Sequence, residues 1–206
     1  WQEVMEAYLC DTLAAADPAT PRGEHARNCR EFITRLTGRQ TIYQAMELEQ
    51  QVRGTGVTPL PATRYKAEFL RRLHERIGHR LLALRQRRQS PAEYLVPGSV
   101  DLLRSLGSMG VTCYLASGTD LPNVIEEVEL LGLSGFFKSA AGGVPRIHGA
   151  LEEHEKFSKR LVIERIVAEN GLSGPELVAF GHGFVELVET RRAGGLTVGI
   201  ASRGDG

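Results

Sequence analysis

The hydrophobic pattern of this chain changes near residue 95, and that change limits the folds open to it. Before residue 95 the apolar residues recur at helical spacing, as they do at Trp1, Val4, Met5 and Tyr8. Gly38 follows one such segment and can end it in the left-handed conformation. Helices are predicted over four segments: 1–9, 29–36, 42–52 and 64–88. The first 95 residues are therefore expected to be all helical.

After residue 97, helical segments alternate with short apolar segments that are typical of strands. Helices are predicted at 99–109, 121–131, 157–170 and 184–193. Strands are predicted at 111–117, near 136–138, at 176–181 and at 196–201. Because this alternation is typical of a parallel sheet with crossover helices, we predict an α/β fold. Its core should be a Rossmann-like parallel sheet with helices on both faces.

Charge and composition exclude several classes of protein. The 25 Lys and Arg residues equal the 25 Asp and Glu residues, so no overall field favours nucleic acid or a membrane. No apolar run approaches the roughly 20 residues that span a bilayer. The three cysteines are odd in number and lack metal-type spacing. We therefore expect reduced thiols in a cytoplasmic protein, with no membrane partner.

A polar loop, Ser117-Gly118-Thr119-Asp120, follows the strand predicted at 111–117 and leads into a helix. Ligands of open parallel sheets bind beyond the carboxyl ends of the strands. Free backbone N–H groups at a helix start can hold a phosphate group or another anion, and Ser117 can add its hydroxyl. As an alternative, Thr119 or Asp120 simply caps the helix.

Lys159 opens the helix predicted at 157–170. A cation at a helix start opposes the helix dipole, so Lys159 needs either solvent or a nearby anion. Lys156 is a close competitor for the same role.

The loop Gly181-His182-Gly183-Phe184-Val185-Glu186 follows the strand predicted at 176–181. The Glu186 carboxylate is an oxygen ligand of the kind that Mg²⁺ prefers. His182 fits less well, because imidazole suits zinc, nickel or copper better than magnesium. Alternatively, His182 is an exposed loop residue and Glu186 is a helix-start carboxylate that favours the dipole.

The order of these three motifs resembles that of the haloacid dehalogenase superfamily of hydrolases, most of which are Mg²⁺-dependent phosphatases. Ser117-Gly118-Thr119 matches the second family motif and Lys159 the third, and the loop at 181–186 matches the fourth. The resemblance covers residues 95–202. It implies that residues 1–95 form an all-helical cap domain, as in phosphoglycolate-phosphatase-like members, and that residues 96–206 form an α/β core.

The resemblance also implies a role for each motif residue. Ser117 and the Gly118 amide would bind the transferring phosphoryl oxygens, with Lys159 offsetting the charge. Thr119 and Lys156 would be further substrate-binding residues. Glu186 and the residue at the His182 position would hold Mg²⁺. The implied activity is hydrolysis of a small phosphorylated metabolite through an aspartyl-phosphate intermediate.

The sequence departs from the family pattern at two places. The nucleophile motif Asp-x-Asp does not occur in the chain, and its strand would be expected just before Trp1. His182 stands where the family usually has aspartate. Asp11, Asp17 and Asp101 are the other candidate nucleophiles, but none follows a predicted strand. We expect these 206 residues by themselves to be inactive.

A missing central strand would also leave its two neighbours without a partner. We therefore expect the chain by itself to be weakly stable or prone to aggregate. Both ends look cut, so the chain is interpreted as a piece of a longer gene product. Natural loss of activity is the other explanation.

A basic helix at 64–88 supports the rival interpretation, a catalytically inactive relative that binds a phosphate-bearing partner or RNA. This segment has nine Lys and Arg residues and two Glu residues. The same charges could attract a phosphorylated substrate or form a solvated helix face. Tyr65 and Phe69 are its only aromatic residues suited to base stacking, which argues against nucleic acid.

Overall fold

The computed structural model describes residues 1–139 and 145–201. The chain divides into two compact units, Trp1–Leu82 and Ala83–Gly206. The predicted boundary at residue 95 lies inside the second unit. None of the helices formed by the described residues is long and apolar enough to cross a membrane.

The first unit is built from helices, and they confirm the four that the spacing of apolar residues predicts. They are α1 (Gln2–Ala16), α2 (Arg22–Leu36), α3 (Thr41–Gly54) and α4 (Ala62–Arg85), of which α4 continues across the unit boundary. The chain leaves α2 at Thr37, which has a ψ of 131°, so the helix does not end in the predicted left-handed cap. Gly38 has a φ of 88° in the turn that follows, where the Arg39 N–H donates to the Leu36 carbonyl oxygen.

The core of the first unit takes side chains from all four helices. Met5 and Leu9 of α1 pack with Phe32 of α2, Leu48 of α3 and Phe69 of α4, and each is at most 2% exposed. Burial of one such side chain stabilises a fold by about 1.5–3 kcal/mol. The first unit therefore has a hydrophobic core of its own.

In the second unit the described residues form four α-helices and four strands. The helices are α5 (Ser99–Ser108), α6 (Leu121–Leu130), α7 (Lys159–Asn170) and α8 (Phe184–Arg192). The strands are β1 (Leu115–Asp120), β2 (Ile147–Ala150), β3 (Val178–Gly181) and β4 (Leu196–Gly199). Strand β2 was not predicted, and the strand predicted near 136–138 is a 3₁₀ turn, Ser134–Phe137. This turn places the Phe137 side chain in a buried position beside Val124 and Val128 of α6.

The predicted α/β class with a Rossmann-like parallel sheet is wrong. In the described part of the chain, β1 pairs in parallel only with β2, and β3 pairs in parallel only with β4. Eight α-helices and two separate two-stranded sheets make the described fold predominantly helical. The prediction failed because alternating helices and strands indicate parallel pairing but do not determine which strands become neighbours.

The β3–β4 sheet also lacks the predicted helices on both faces. Helix α8 packs against both of its strands. Val178 and Phe180 on β3 lie opposite Leu196 and Val198 on β4, and these four side chains are 40–57% exposed. Successive side chains of a strand point to opposite faces, so these apolar residues form one solvent-facing surface.

Helix α7 organises the second unit. Its residues Val162 and Ile166 pack with Ala150 of β2 and with Leu177, which precedes β3. Helix α7 also contacts β1 and α8. The helix that begins with Lys159 is thus packed against the β1–β2 sheet, against α8 and against the residue before β3.

Strand β1 bulges where it passes β2. Ala116 pairs with His148 and Asp120 pairs with Ala150, so four steps on β1 match two steps on β2. Gly149 lies between these pairs, and a Cβ atom there would lie 2.5 Å from the Leu121 Cα. Glycine at this position lets β2 approach the bulge and the start of α6.

We expect Gly149→Ala to lower the free energy of unfolding by about 1–3 kcal/mol, because the added methyl group meets backbone atoms that cannot move independently. Gly107→Ala is the matched control, since a Cβ atom there meets nothing within 4 Å. That control lies in α5 and should be neutral or stabilising. Urea denaturation followed by circular dichroism measures both. Equal stability of the two variants would contradict the close approach at Gly149.

Candidate functional site

Two of the predicted site residues meet in an ion pair. Lys159 is the first residue of α7, and Glu186 lies in the first turn of α8. The Lys159 Nζ lies 2.7 Å from the Glu186 Oε2, although the two residues are 27 positions apart. Their side chains are only 11% and 16% exposed. The fold thus places the anion that Lys159 needs at a helix start directly beside it.

The second oxygen of Glu186 is also occupied. The Gly183 backbone N–H donates to Oε1 over 2.7 Å, which closes the first turn of α8. A Cβ atom on Gly181 would lie 2.6 Å from Oε1, and one on Gly183 would lie 2.6 Å from Oε2. The carboxylate therefore lies directly against both glycines, and the loop has room for it only because they have no side chains.

The surroundings of Glu186 favour its ionised form. Burial by itself raises the pKa of this carboxyl group. The hydrogen bond and charge of Lys159, together with backbone N–H groups, lower the pKa by more, so that it lies below the ordinary value of 4.5. The carboxylate is therefore charged at neutral pH, and it compensates the charge of Lys159.

Ser117, Gly118 and Thr119 lie inside β1, at its bulge, and not after the strand as predicted. The Ser117 Oγ accepts a hydrogen bond of 3.2 Å from the Thr119 backbone N–H. Asp120 is the N-cap residue of α6 but makes no side-chain cap hydrogen bond. Among the described residues, neither Ser117 nor Thr119 hydrogen-bonds to Lys159 or Glu186.

Among the described residues, neither Lys156 nor His182 forms a hydrogen bond or ion pair with Lys159 or Glu186. Lys156 ends a 3₁₀ turn, is 70% exposed and pairs with Glu153 at the surface. His182 is exposed between the two glycines that contact Glu186. Of the two candidate lysines, only Lys159 is in the buried pair.

The residues present do not fit a magnesium site. Mg²⁺ requires near-octahedral oxygen ligands and is usually held by one or two carboxylates with several waters. The described ranges contain no group of three His, Cys, Asp or Glu side chains that could hold a metal ion. Both oxygens of Glu186 already accept hydrogen bonds, one of them from a cation. The expectation that Glu186 and His182 hold magnesium has no support in this arrangement.

The three candidate aspartates have structural partners. Asp11 pairs with Arg22 over 2.6 Å. Asp17 is the C-cap residue of α1 and accepts a hydrogen bond from the Thr20 backbone N–H. Asp101, in the first turn of α5, pairs with Arg104. No carboxylate of these three lies after a described strand.

His148 is a buried residue that sequence reasoning did not place. It lies on β2, is 8% exposed and stacks on Tyr114 with 6.4 Å between ring centroids. Burial lowers its pKa below 6.5, which favours the neutral ring. Without a predicted strand at 147–150, the sequence carried no signal for this position.

No protein-family model and no curated protein matches the chain. The resemblance to the haloacid dehalogenase superfamily therefore depends on its motif residues alone. What it implies about activity is a proposal.

We expect Glu186→Gln to lower the free energy of unfolding by about 3 kcal/mol at pH 7, because it leaves Lys159 buried without a counter-charge. The folded pKa of Glu186 lies below its unfolded value, so its contribution is present above pH 4.5 and is lost as the pH falls through the folded pKa. The difference between wild type and variant should accordingly narrow below pH 4.5 in urea denaturation.

Glu189→Gln is the matched control on the same helix. Glu189 is 14% exposed but pairs with Arg192, which is 70% exposed. Its loss should change the free energy of unfolding by less than about 1 kcal/mol. If Glu186→Gln and Glu189→Gln lowered the free energy of unfolding equally, the Lys159–Glu186 pair would contribute no more than a surface ion pair does.

Proposed function

We propose that this chain is a haloacid-dehalogenase-type protein that binds the phosphate group of a small phosphorylated metabolite. The observation that supports the proposal most is the buried pair of Lys159 and Glu186. It joins two motif residues that the resemblance names for one phosphate-handling site.

Lys159 has the chemistry for this task. A lysine ammonium group has three N–H donors, of which Glu186 takes one, so two remain for phosphate oxygens. Lys159 also opens α7, whose N-terminus has a positive partial charge. The Ser117 hydroxyl accepts from Thr119 and keeps its own proton for donation.

Hydrolysis of the phosphorylated metabolite is the activity that the resemblance implies for the enzyme. That mechanism needs a carboxylate nucleophile and a second carboxylate as general acid and base. The 206 residues contain no Asp-x-Asp pair, and Asp11, Asp17 and Asp101 have partners elsewhere. We therefore propose that this chain by itself binds phosphate without turning over a phosphomonoester. As a cellular setting we propose the cytoplasm, because all three cysteines are free thiols.

The test uses the 206-residue chain with inorganic phosphate and with p-nitrophenyl phosphate. We expect phosphate binding in a ³¹P NMR titration and no hydrolysis above background. Lys159→Gln should weaken phosphate binding at least tenfold, because it removes the cation that contacts the anion. Lys156→Gln is the control and should bind as wild type does. Equal phosphate affinity of the wild type and Lys159→Gln would contradict the proposed binding site. Hydrolysis of p-nitrophenyl phosphate by the wild type would contradict the proposal that this chain by itself is inactive.

A second candidate function is binding of RNA by α4, and the uneven distribution of acidic residues along this helix favours it. In the first half of the helix, Glu68 and Glu75 pair with Arg71, and Glu68 also pairs with Arg72. Residues 76–88 include five arginines and no acidic residue. In the described part of the chain, Arg76 and Arg80 have no ion-pair partner.

We expect the double variant Arg76→Gln/Arg80→Gln to flatten the dependence of RNA affinity on salt. Each lost phosphate contact lowers the log–log slope by about 0.7 for a single strand, so the double variant should lower it by about 1.4. Arg71→Gln is the matched control and should leave the slope unchanged. Fluorescence anisotropy with a single-stranded oligonucleotide at several salt concentrations measures both slopes. Absence of binding at low salt would exclude this candidate.

A further inference from the structure

We infer that Glu186 holds Lys159 in place for an anion and does not ligate a divalent cation, so this site takes a phosphate group without magnesium. The part concerning phosphate rests on the proposed function. The part concerning the metal rests on the geometry of Glu186 alone. Glu186 is thus a positioning residue that acts through Lys159.

The Glu186 carboxylate has no oxygen left without a strong donor. Oε2 accepts from the Lys159 Nζ and Oε1 accepts from the Gly183 N–H, each over 2.7 Å. Charge-assisted hydrogen bonds of this length are the strong ones in proteins. A metal ion at either oxygen would have to share it with one of these donors, and at Oε2 it would lie beside the Lys159 ammonium group, whose charge repels it.

The loop also fixes the direction of the carboxylate. It lies so close to Gly181 and Gly183 that a Cβ atom on either residue would approach an oxygen to 2.6 Å. The carboxylate thus fills the space beside both glycines, while its two hydrogen bonds hold it towards Lys159. The glycines that resemble a metal loop in sequence therefore serve here to close the loop over an ion pair.

Lys159 supplies the positive charge that a metal ion would otherwise bring. Its side chain is 11% exposed and that of Glu186 is 16% exposed, so the attraction between them is only partly screened by water. Moving Lys159 away would leave a buried charge without compensation, which is strongly unfavourable. A divalent cation would therefore compete with an internal cation that is already in contact with the only carboxylate of the loop.

One acidic neighbour, Glu189, and one basic neighbour, Lys156, provide matched controls. Glu189 lies on the same helix and is buried to a similar degree, but its partner Arg192 is exposed. Lys156 lies just before α7 and pairs with Glu153 at the surface. Substitution at these positions changes charge without affecting the Lys159 pair.

The first experiment measures divalent-cation binding directly, with Mn²⁺ as the probe and electron paramagnetic resonance as the readout. We expect the full chain, Glu186→Gln and Glu189→Gln to bind the same amount of Mn²⁺ at up to millimolar concentration. Mn²⁺ bound by the wild type and by Glu189→Gln but lost in Glu186→Gln would overturn the inference.

The second experiment measures the dissociation constant of inorganic phosphate in the presence of EDTA and in the presence of excess Mg²⁺. We expect the two values to agree within twofold. Glu186→Gln should weaken phosphate binding several-fold, because Lys159 loses the charged partner that holds it in position. Glu186→Asp should recover part of the affinity, which a merely structural role would not produce. Phosphate binding that requires Mg²⁺, or that tightens in Glu186→Gln, would overturn the inference.

The two experiments separate this inference from the proposed function. If the wild type binds no phosphate under any condition, the proposed function and the anion-holding role of Glu186 both fail. The Mn²⁺ measurement then still decides whether Glu186 is a metal ligand.

Discussion

The buried pair of Lys159 and Glu186 is the interaction on which the second unit's candidate site depends. It joins the first turn of α7 to the first turn of α8. Neither charge would be tolerated alone at this burial, because removal of one partner leaves the other uncompensated in a poorly solvated place. The pair also explains why Gly181 and Gly183 are glycines, since the carboxylate lies where their side chains would be.

Helix α7 connects this pair to the rest of the unit. Its apolar side packs with Ala150 of β2 and with Leu177 beside β3, while its first residue carries the ammonium group. The described strands form two separate sheets, so no continuous hydrogen-bonded sheet connects the β1 bulge to the Glu186 loop. Helix α7 connects them instead, because it contacts both β1 and α8. The position of Lys159 thus depends on hydrophobic burial along the same face of its helix, because Val162 and Ile166 follow it by three and seven residues.

A closed ion pair gives this site a different character from an acidic metal loop. The charges of Lys159 and Glu186 nearly cancel. The Glu186 carboxylate positions a lysine side chain, whereas the carboxylate of a magnesium site contacts a hydrated ion. Such a site can still hold an anion, because Lys159 keeps two N–H donors. The three candidate nucleophiles among the described residues have other partners, since Asp11 and Asp101 pair with arginines and Asp17 accepts a hydrogen bond from the Thr20 N–H. The proposed phosphate binding therefore does not require the proposed hydrolysis.

The helices and several local features could be predicted from the sequence because they depend on near neighbours. Apolar residues at helical spacing predicted the four helices of the first unit. Lys159 at a helix start indicated a need for an anion, but only the tertiary structure decided that Glu186 supplies it. The tertiary structure also decided which strands became neighbours, because the pairing of four- to six-residue strands depends on packing between distant segments. The same non-local packing placed Ser117 in a bulge opposite Gly149 and buried His148 on a strand whose residues show no strand pattern of their own.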